Sequence, residues 1–292
     1  MISPFPIRIG IRAHDFGCLS AGEFAEKISA QHFNCTQLAL SKAITRLTVK
    51  PGVLNPGLAH EIGQAFHRGG VQIAVLGCYV NPIHPDPGMR QLLLTLFSYA
   101  RDFGNGLVAL ETGSVSADYS PHPENHSDFA FHQSIVSIAE LVAEAERFSV
   151  IVGIEQVASH VLSTPQKMRR MLESVASNNL QVVFDPVNLL SLDNYREQER
   201  IIGESLELFG ERIAIIHAKD FVIENGRFKF TRAGLGMLRH DLVMQFAVEQ
   251  KPGISIVLED TTEQTAQESR QFLERVVANI LNVEPEATST GK

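Results

Sequence analysis

The stretch Ser149-Val-Ile-Val-Gly-Ile-Glu155 is an apolar, β-branched run that ends abruptly on a carboxylate. Such a run is typical of a strand that is buried on both faces, as in a parallel sheet. A carboxylate at the end of a buried strand is costly unless a cation or a hydrogen-bond donor meets it. The stretch therefore predicts a strand that delivers Glu155 to a polar site.

The same pattern recurs three times further along the chain. The other runs are Gln181-Val-Val-Phe-Asp185, Ile213-Ala-Ile-Ile-His217 and Ile254-Ser-Ile-Val-Leu-Glu259. Their terminal polar residues follow one another at 30, 32 and 42 positions, close to one strand–helix–strand repeat of about 30 residues. Four buried strands that end on Glu, Asp, His and Glu predict four ligands converging at one rim.

The rest of the chain continues the alternation of strand and helix. Four earlier strands are predicted at 7–12, 35–40, 71–76 and 107–110, and helices at 21–31, 55–70, 89–103, 127–148, 164–176, 195–209, 238–250 and 265–281. Eight strand–helix units predict the α/β class and a single (β/α)8 TIM barrel over residues 1–282. Residues 221–236 are predicted to be a long loop, and the polar tail 283–292 to be disordered.

The composition excludes several classes of partner. The chain has 292 residues, 44% of them hydrophobic, and a net charge of -8, which argues against nucleic acid or an anionic membrane as the main partner. It has no apolar run of about 18 residues, so no membrane span is expected. The N-terminus does not resemble a secretory signal, and the odd set Cys18, Cys35 and Cys78 indicates reduced thiols. We therefore expect a cytoplasmic protein with a small-molecule partner.

The four converging residues form a mostly oxygen-donor set. Glu155, Asp185, His217 and Glu259 suit one divalent ion, with Mn2+ first and Mg2+, Co2+ or Zn2+ as alternatives. The competing interpretation is that these polar strand ends only pair with neighbouring lysines or arginines.

Five short motifs carry a resemblance to a known family. They are Gly153-Ile-Glu155, Phe184-Asp-Pro-Val-Asn188, His217-Ala-Lys-Asp220, Gly234-Leu-Gly236 and Val257-Leu-Glu259. In this order they resemble the xylose-isomerase-like TIM-barrel superfamily, which includes ketose 3-epimerases, inosose dehydratases and the endonuclease IV branch. The resemblance implies that Glu155, Asp185, His217 and Glu259 hold the metal and that the two glutamates act as acid and base.

Two departures from the family pattern narrow this expectation. Asn188 stands where many members have histidine, and the extra histidines of the three-zinc endonuclease IV branch are not found as a set. The resemblance therefore implies a metal-dependent sugar isomerase or epimerase that acts on a ketose, an aldose or a related polyol. It would remove an α-proton and pass through a cis-enediolate. The alternatives are an inosose-dehydratase-like lyase and a non-catalytic sugar-binding barrel, and homo-oligomerisation is left open.

Three further residues are candidates for binding substrate, each with a simpler alternative. His160 follows Glu155 on the next loop and would contact a substrate hydroxyl or lie at the surface. Asn188 would orient a ligand or bind a hydroxyl, or else form a turn after Asp185-Pro186. Lys219 would stabilise an enediolate oxygen or pair with a ligand carboxylate.

The remaining candidates are less well defined by the sequence. One of Arg12 and His14 lines the pocket, but strand parity does not decide which. Arg232, beside the Gly-x-Gly pair, would meet a substrate oxygen or phosphate, and Glu111 would face the mouth or form a salt bridge. Asp220 has the opposite strand parity to Lys219, so it is expected to brace the structure rather than face the mouth. Seven histidines are expected in solvent: His32, His60, His67, His122, His126, His132 and His240.

Overall fold

Eight parallel strands close into a barrel with helices outside it, in a computed structural model that describes residues 7–282. The predicted tail 283–292 lies outside the described residues, as do residues 1–6. The strands are β1 (Arg8–Arg12), β2 (Cys35–Leu38), β3 (Gln72–Gly77), β4 (Leu107–Glu111), β5 (Ile151–Glu155), β6 (Leu180–Phe184), β7 (Ile213–Glu224), β8 (Arg227–Arg232) and β9 (Ser255–Leu258). The helices are α1 (Ala21–Ala30), α2 (Leu40–Ala43), α3 (Pro56–Arg68), α4 (Pro87–Tyr99), α5 (Asp128–Arg147), α6 (Pro165–Val175), α7 (Gln198–Phe209), α8 (His240–Gln250) and α9 (Ala266–Leu281).

The strand order shows how the barrel closes. Strands β1 to β6 pair in sequence, β6 pairs with β7, β7 with β9, and β9 with β1, all in parallel. The ring therefore contains eight strands, and β8 stands outside it. This arrangement confirms the prediction of a single (β/α)8 TIM barrel.

The prediction of a loop at 221–236 is wrong for residues 221–232. Strand β7 continues to Glu224 and pairs with β8 in an antiparallel hairpin. The turn is Asn225-Gly226, with φ of 52° and 70°, which is the sequence and backbone conformation that tight hairpins prefer. Phe221 stacks on Phe228 with ring centroids 4.7 Å apart, so cross-strand aromatic contacts stabilise the hairpin.

The side chains inside the barrel form a core of their own. Its members are Cys35, Ala74, Val75, Leu107, Ala109, Val183, Ile215 and Val257. A Cβ atom on Gly153 would lie 3.0 Å from the side chain of Val183, so Gly153 faces inward. Because strand side chains alternate, Glu155 shares this face, as the sequence predicts. The larger core lies between the strands and the outer helices.

Capping and side-chain burial define individual helices around the barrel. Ser20 forms a capping box at the start of α1, where its hydroxyl accepts from the backbone N–H of Glu23 and its own N–H donates to that carboxylate. In α5 the side chains of Ile138, Leu141, Val142 and Ala145 are buried in one stripe. Within residues 7–282, no helix is both long and apolar enough to cross a bilayer.

Candidate metal centre

Four polar side chains meet at the C-terminal rim of the barrel. Glu155 is the last residue of β5, Asp185 and Glu259 directly follow β6 and β9, and His217 lies within β7. One potential ligand atom from each lies within 4.8 Å of the other three. Asp185, His217 and Glu259 are buried, and Glu155 is partly exposed to the mouth. The convergence predicted from the sequence is therefore present.

The imidazole of His217 is held from both sides. Its Nδ1 atom lies 3.2 Å from Oε1 of Glu155 and 3.3 Å from Oε1 of Glu259. Its Nε2 atom lies 2.8 Å from Oε1 of Gln37, on β2. An amide oxygen can only accept, so Nε2 carries the hydrogen and donates it to Gln37. Nδ1 is therefore the atom that His217 offers to the cluster.

The contacts of Nδ1 provide a test of whether a cation fits. A neutral imidazole with its hydrogen on Nε2 would point a lone pair at two carboxylate oxygens, which is repulsive. Nδ1 must therefore hold a proton or a metal ion. Burial opposes a charge on His217, but the charges of Glu259 and Glu155 outweigh it and raise its pKa to about 9. The donor set of three carboxylates and Nδ1 fits a divalent cation, which would take the place of this proton.

Lys219 and Arg12 neutralise part of the carboxylate charge. Nζ of Lys219 lies 2.7 Å from Oδ2 of Asp185 and 3.2 Å from Oε2 of Glu259. A guanidinium nitrogen of Arg12 lies 3.1 Å from Oε1 of Glu259. Burial would raise the pKa of Glu259, but His217, Lys219 and Arg12 together hold it well below its usual range. Lys219 therefore forms the ion pair that the sequence left as the alternative to an enediolate contact.

The two candidates at the end of β1 occupy different places. Arg12 reaches the carboxylate of Glu259 in the cluster and is also hydrogen-bonded to Asp15 at 2.9 Å. His14 packs edge-on against Tyr79, with ring centroids 5.8 Å apart. Burial, followed by the charges of Arg12 and Lys42, lowers the pKa of His14 to about 4. Arg12 is thus the residue of this pair that contacts the cluster.

The sequence left two roles open for Asn188, forming the turn after Asp185-Pro186 or orienting a ligand. Asp185 forms the turn itself, since its Oδ1 accepts from the backbone N–H of Val187 at 2.9 Å and of Asn188 at 3.3 Å. The side-chain amide of Asn188 donates to Oε1 of Glu155 at 2.8 Å. Asn188 therefore orients Glu155, the candidate metal ligand at the end of the neighbouring strand β5.

Arg232 and Asp220 lie at the hairpin and the loop that follows it. The guanidinium of Arg232 pairs with Glu268 on α9, so its contact with substrate stays a prediction. Asp220 accepts from the backbone N–H groups of Gly234 at 3.2 Å and Leu238 at 2.8 Å, which is the bracing role expected of it. A Cβ atom on Gly236 would lie 2.2 Å from Oδ1 of Asp220, so only glycine fits there.

The expectation that His240 is solvated is wrong. Its side chain is buried at the start of α8, and Nε2 lies 3.3 Å from Oδ2 of Asp220. The ring also packs edge-on against Phe272, with centroids 5.2 Å apart. The polar partner and the aromatic contact both come from distant elements, which explains why the local sequence around His240 gave no sign of burial.

Two polar residues close to the cluster, Gln37 and Tyr79, were not identified from the sequence. Gln37 is 3% exposed and bridges His217 to the hydroxyl of Tyr79, which accepts from its amide at 3.2 Å. A polar side chain within the buried run Cys35-Thr-Gln-Leu38, at the same parity as the inward-facing Cys35, is the signal that could have identified it. Glu111 and His160, which the sequence did identify as candidates, lie at the mouth with Nδ1 of His160 3.4 Å from Oε2 of Glu111.

The chain is similar to a defined family and to several solved structures. A family model described as "Xylose isomerase-like TIM barrel" matches residues 32–276. A xylose isomerase-like TIM barrel protein from Mycobacterium smegmatis in complex with magnesium is 15% identical, with a TM-score of 0.70 over 95% of this chain and 98% of that one. A D-tagatose 3-epimerase-like protein is 16% identical, with a TM-score of 0.71 over 94% and 98%. The IOLI protein with a bound zinc atom is 14% identical, with a TM-score of 0.68 over 94% and 98%. No curated protein matches the sequence.

Proposed function

Because this chain belongs to the xylose isomerase-like TIM barrel family, we propose that it is a divalent-metal-dependent sugar isomerase or epimerase acting on a ketose, an aldose or a related polyol. One observation carries the proposal: Glu155, Asp185, His217 and Glu259 converge at the rim where barrel enzymes place their sites. The similarity to epimerase-like structures supports the same class of substrate.

The four residues would hold the ion, with His217 binding through Nδ1. When bound, a divalent ion supplies Lewis-acid polarisation of the substrate carbonyl. Mn2+ suits this oxygen-rich set best, and Mg2+, Co2+ and Zn2+ remain the alternatives. The hydrogen bond from Nε2 to Gln37 fixes the ring orientation that presents Nδ1.

Glu155 and Glu259 are the proposed acid and base. Their strands, β5 and β9, are separated around the ring by β6 and β7, so the two carboxylates reach a sugar in the mouth from different directions. One would remove the proton next to the carbonyl, and the other would return a proton. Return to the opposite face of the same carbon gives epimerisation. Return to the neighbouring carbon, with transfer of the hydroxyl proton to the former carbonyl oxygen, gives isomerisation. Acid–base help of this kind contributes about 10²–10⁴-fold.

The surrounding side chains position these carboxylates. Asn188 donates to Oε1 of Glu155, while Arg12 and Lys219 each contact one oxygen of Glu259. The negative charge of an enediolate would develop beside the ammonium of Lys219, which is already ordered by its ion pairs. Fixed donors of this kind reduce the reorganisation needed during the reaction.

The test is an activity screen of the protein loaded with Mn2+. Free and phosphorylated ketoses and aldoses are incubated with it, and the products are analysed by NMR and mass spectrometry. We expect a product of unchanged mass whose formation stops with EDTA and resumes with added Mn2+. A product lighter by one water would assign a lyase instead, and metal and sugar binding without conversion would assign a sugar-binding barrel.

A further inference from the structure

Glu111 lies beside the candidate metal centre but outside its ligand set. It ends β4 in register with Glu155 on β5, so the two side chains point to the same side of the sheet. Burial, followed by the charge of Glu155, raises the pKa of Glu111 to about 7. A carboxyl group whose pKa is raised takes up a proton more readily, and its protonated form can both donate and accept hydrogen bonds.

Two loops bring His160 and Tyr119 to Glu111. His160 is 4% exposed, and its Nδ1 lies 3.4 Å from Oε2 of Glu111. The ring of Tyr119 stacks on the imidazole, with centroids 5.0 Å apart and an interplanar angle of 23°. Among residues 7–282, neither Nδ1 of His160 nor the hydroxyl of Tyr119 has a well-aligned hydrogen-bond partner, although both atoms are buried. Buried polar atoms are seldom left unpaired, so these two atoms keep hydrogen-bonding capacity that the described residues do not use.

Buried amides fix the positions of the two loops. Asn125 accepts from the backbone N–H of Val115 at 2.7 Å and donates to the carbonyl of Ser159 at 2.8 Å. These bonds tie the loop after β4 to the loop after β5. Asn81 fastens the first loop again by donating to the carbonyl of Ser114 at 2.7 Å. Tyr119 and His160 are therefore held in place by contacts that do not depend on a ligand.

We propose that Glu111, Tyr119 and His160 form a second subsite, which binds hydroxyl groups of an unphosphorylated polyol beyond the atoms held at the metal centre. The inference rests on the proposed function and names its substrate class. A hydroxyl can donate to Nδ1 of His160 and accept from the hydroxyl of Tyr119 at the same time. A phosphate dianion has no hydrogen to donate and would meet the carboxyl of Glu111.

The charges around this subsite favour a neutral ligand. Burial lowers the pKa of His160 to about 4, so its ring is uncharged at neutral pH. The ammonium of Lys219 is engaged by Asp185 and Glu259, and that of Lys42 lies 3.5 Å from the ring centre of Tyr79. Both cations lower the pKa of Glu111 through their charge, but neither forms an ion pair within the subsite. An anionic group would therefore find no direct cationic partner there to offset its desolvation.

The test measures binding to the full chain loaded with Mn2+. The probes are xylitol, D-fructose and D-fructose 6-phosphate, and affinities are obtained by titration calorimetry. Tyr119→Phe and His160→Phe each remove hydrogen-bonding atoms and keep an aromatic ring. Each variant is expected to weaken xylitol and fructose binding roughly threefold to tenfold, as for one lost hydrogen bond, with unchanged Mn2+ content. Tyr99→Phe on the outer helix α4 is the matched control and should bind as the unmodified protein does.

Failure of the subsite and failure of the proposed function give different results in this test. Unchanged binding in both variants, or tighter binding of the 6-phosphate than of free fructose, would overturn the subsite even if the protein turns over a sugar. Weakened binding in a protein that converts no sugar would overturn the isomerase and leave the subsite standing. A Mn2+-loaded protein that binds none of the three probes would overturn both. For a sugar that is turned over, the variants should raise KM with little change in kcat.

Discussion

Nε2 of His217 lies 2.8 Å from the amide oxygen of Gln37, and this hydrogen bond joins β7 to β2 across the mouth of the barrel. The other end of the amide donates to the hydroxyl of Tyr79 at 3.2 Å, so the amide orientation is determined on both sides. The contact decides which nitrogen of His217 faces the carboxylates. It therefore links a residue outside the ligand set to the affinity of the metal centre.

Replacing Gln37 should weaken metal binding without removing a ligand. Gln37→Met keeps a side chain of similar size but loses the acceptor for Nε2–H, so the ring and its tautomer are no longer fixed. We expect Mn2+ affinity to fall by about 10–100-fold, the usual effect of losing such a supporting hydrogen bond. The measurement is a Mn2+ titration followed by electron paramagnetic resonance. Gln64→Met on the outer helix α3 is the control, and an unchanged Kd in Gln37→Met would refute the role of this contact.

Removing a metal ligand should lower metal content and thermal stability together. A ligand that binds only the native state stabilises it, by about 2.7 kcal/mol when its concentration is 100 times Kd. His217→Ala and Asp185→Asn should therefore lose bound Mn2+ and most of the rise in Tm that Mn2+ gives the unmodified protein. Elemental analysis and thermal melts with and without EDTA measure both effects, and His60→Ala on α3 is the control. Native protein that takes up neither Mn2+ nor Co2+ would contradict the metal site.

The convergence of Glu155, Asp185, His217 and Glu259 has a local origin in the sequence, which is why it could be predicted. Each ligand ends a run of buried residues, and the strand period alone places Glu155 on the same face as Gly153. The contacts that organise the ligands are not local. Gln37 and His217 are 180 residues apart and meet only because the ring closes. The alternation of side chains along β2 is enough to predict that Gln37 faces inward. Its hydrogen-bond partner can be predicted only once the order of the strands around the barrel is known.

The hairpin and His240 show the other limit of the sequence analysis. The Asn225-Gly226 pair between Phe221-Val-Ile223 and Phe228-Lys-Phe230 was a readable hairpin signal, but the regular strand–helix repeat left no place for a ninth strand. The burial of His240 depends on Asp220 and Phe272, which come from two other segments of the chain. Local periodicity describes the barrel, whereas insertions into it and their packing depend on long-range contacts.

The two candidate acid–base residues should be separable from the metal site by conservative changes. Glu155→Gln and Glu259→Gln keep an oxygen that can bind the metal, but an amide cannot take up the proton. We expect each variant to fold and to retain Mn2+, while kcat falls by at least about 10²-fold. Glu61→Gln on the exposed face of α3 is the control. A nearly normal kcat in either variant would remove that glutamate from the acid–base role.

His160 should make the metal-free protein sensitive to mild acid. Because burial lowers its pKa in the folded state to about 4 from 6.5, the unfolded chain binds more protons between these values. Its contribution to stability is therefore complete above pH 6.5 and is lost as the pH falls towards 4. Between pH 7 and 4.5 the loss should be about 2–3 kcal/mol. Urea denaturation in EDTA measures the free energy of unfolding at each pH.

The comparison with His160→Gln isolates this contribution. His14 has a similarly lowered pKa and adds the same dependence to both proteins, while the raised pKa of Glu111 acts in the opposite direction. The variant should lose less stability than the unmodified protein over the same pH range. Parallel curves for the two proteins would show that His160 is not held neutral by burial.

The reaction should incorporate solvent hydrogen at the carbon next to the carbonyl. Two carboxylates at the ends of β5 and β9 suit a route in which one carboxylate removes a proton as the base and the other returns a different proton as the acid. A proton held on a carboxyl group of the partly exposed Glu155 exchanges with water, and the proton that Glu259 would return also comes ultimately from solvent. A hydride shift, by contrast, moves the substrate's own hydrogen between neighbouring carbons and needs no such pair of bases.

Product formed in D2O distinguishes these routes. By the two-base route it should carry deuterium at the inverted carbon of an epimer, or at the newly protonated carbon of an isomer, as seen by mass spectrometry and by loss of the corresponding proton NMR signal. Substrate kept in D2O without protein controls for uncatalysed exchange, and Glu155→Gln should slow both exchange and turnover. Product free of deuterium would rule out the two-base enediolate route, because a proton carried by a carboxylate open to water would not return undiluted in every turnover. The cluster of Glu155, Asp185, His217 and Glu259 would then have to support a hydride shift.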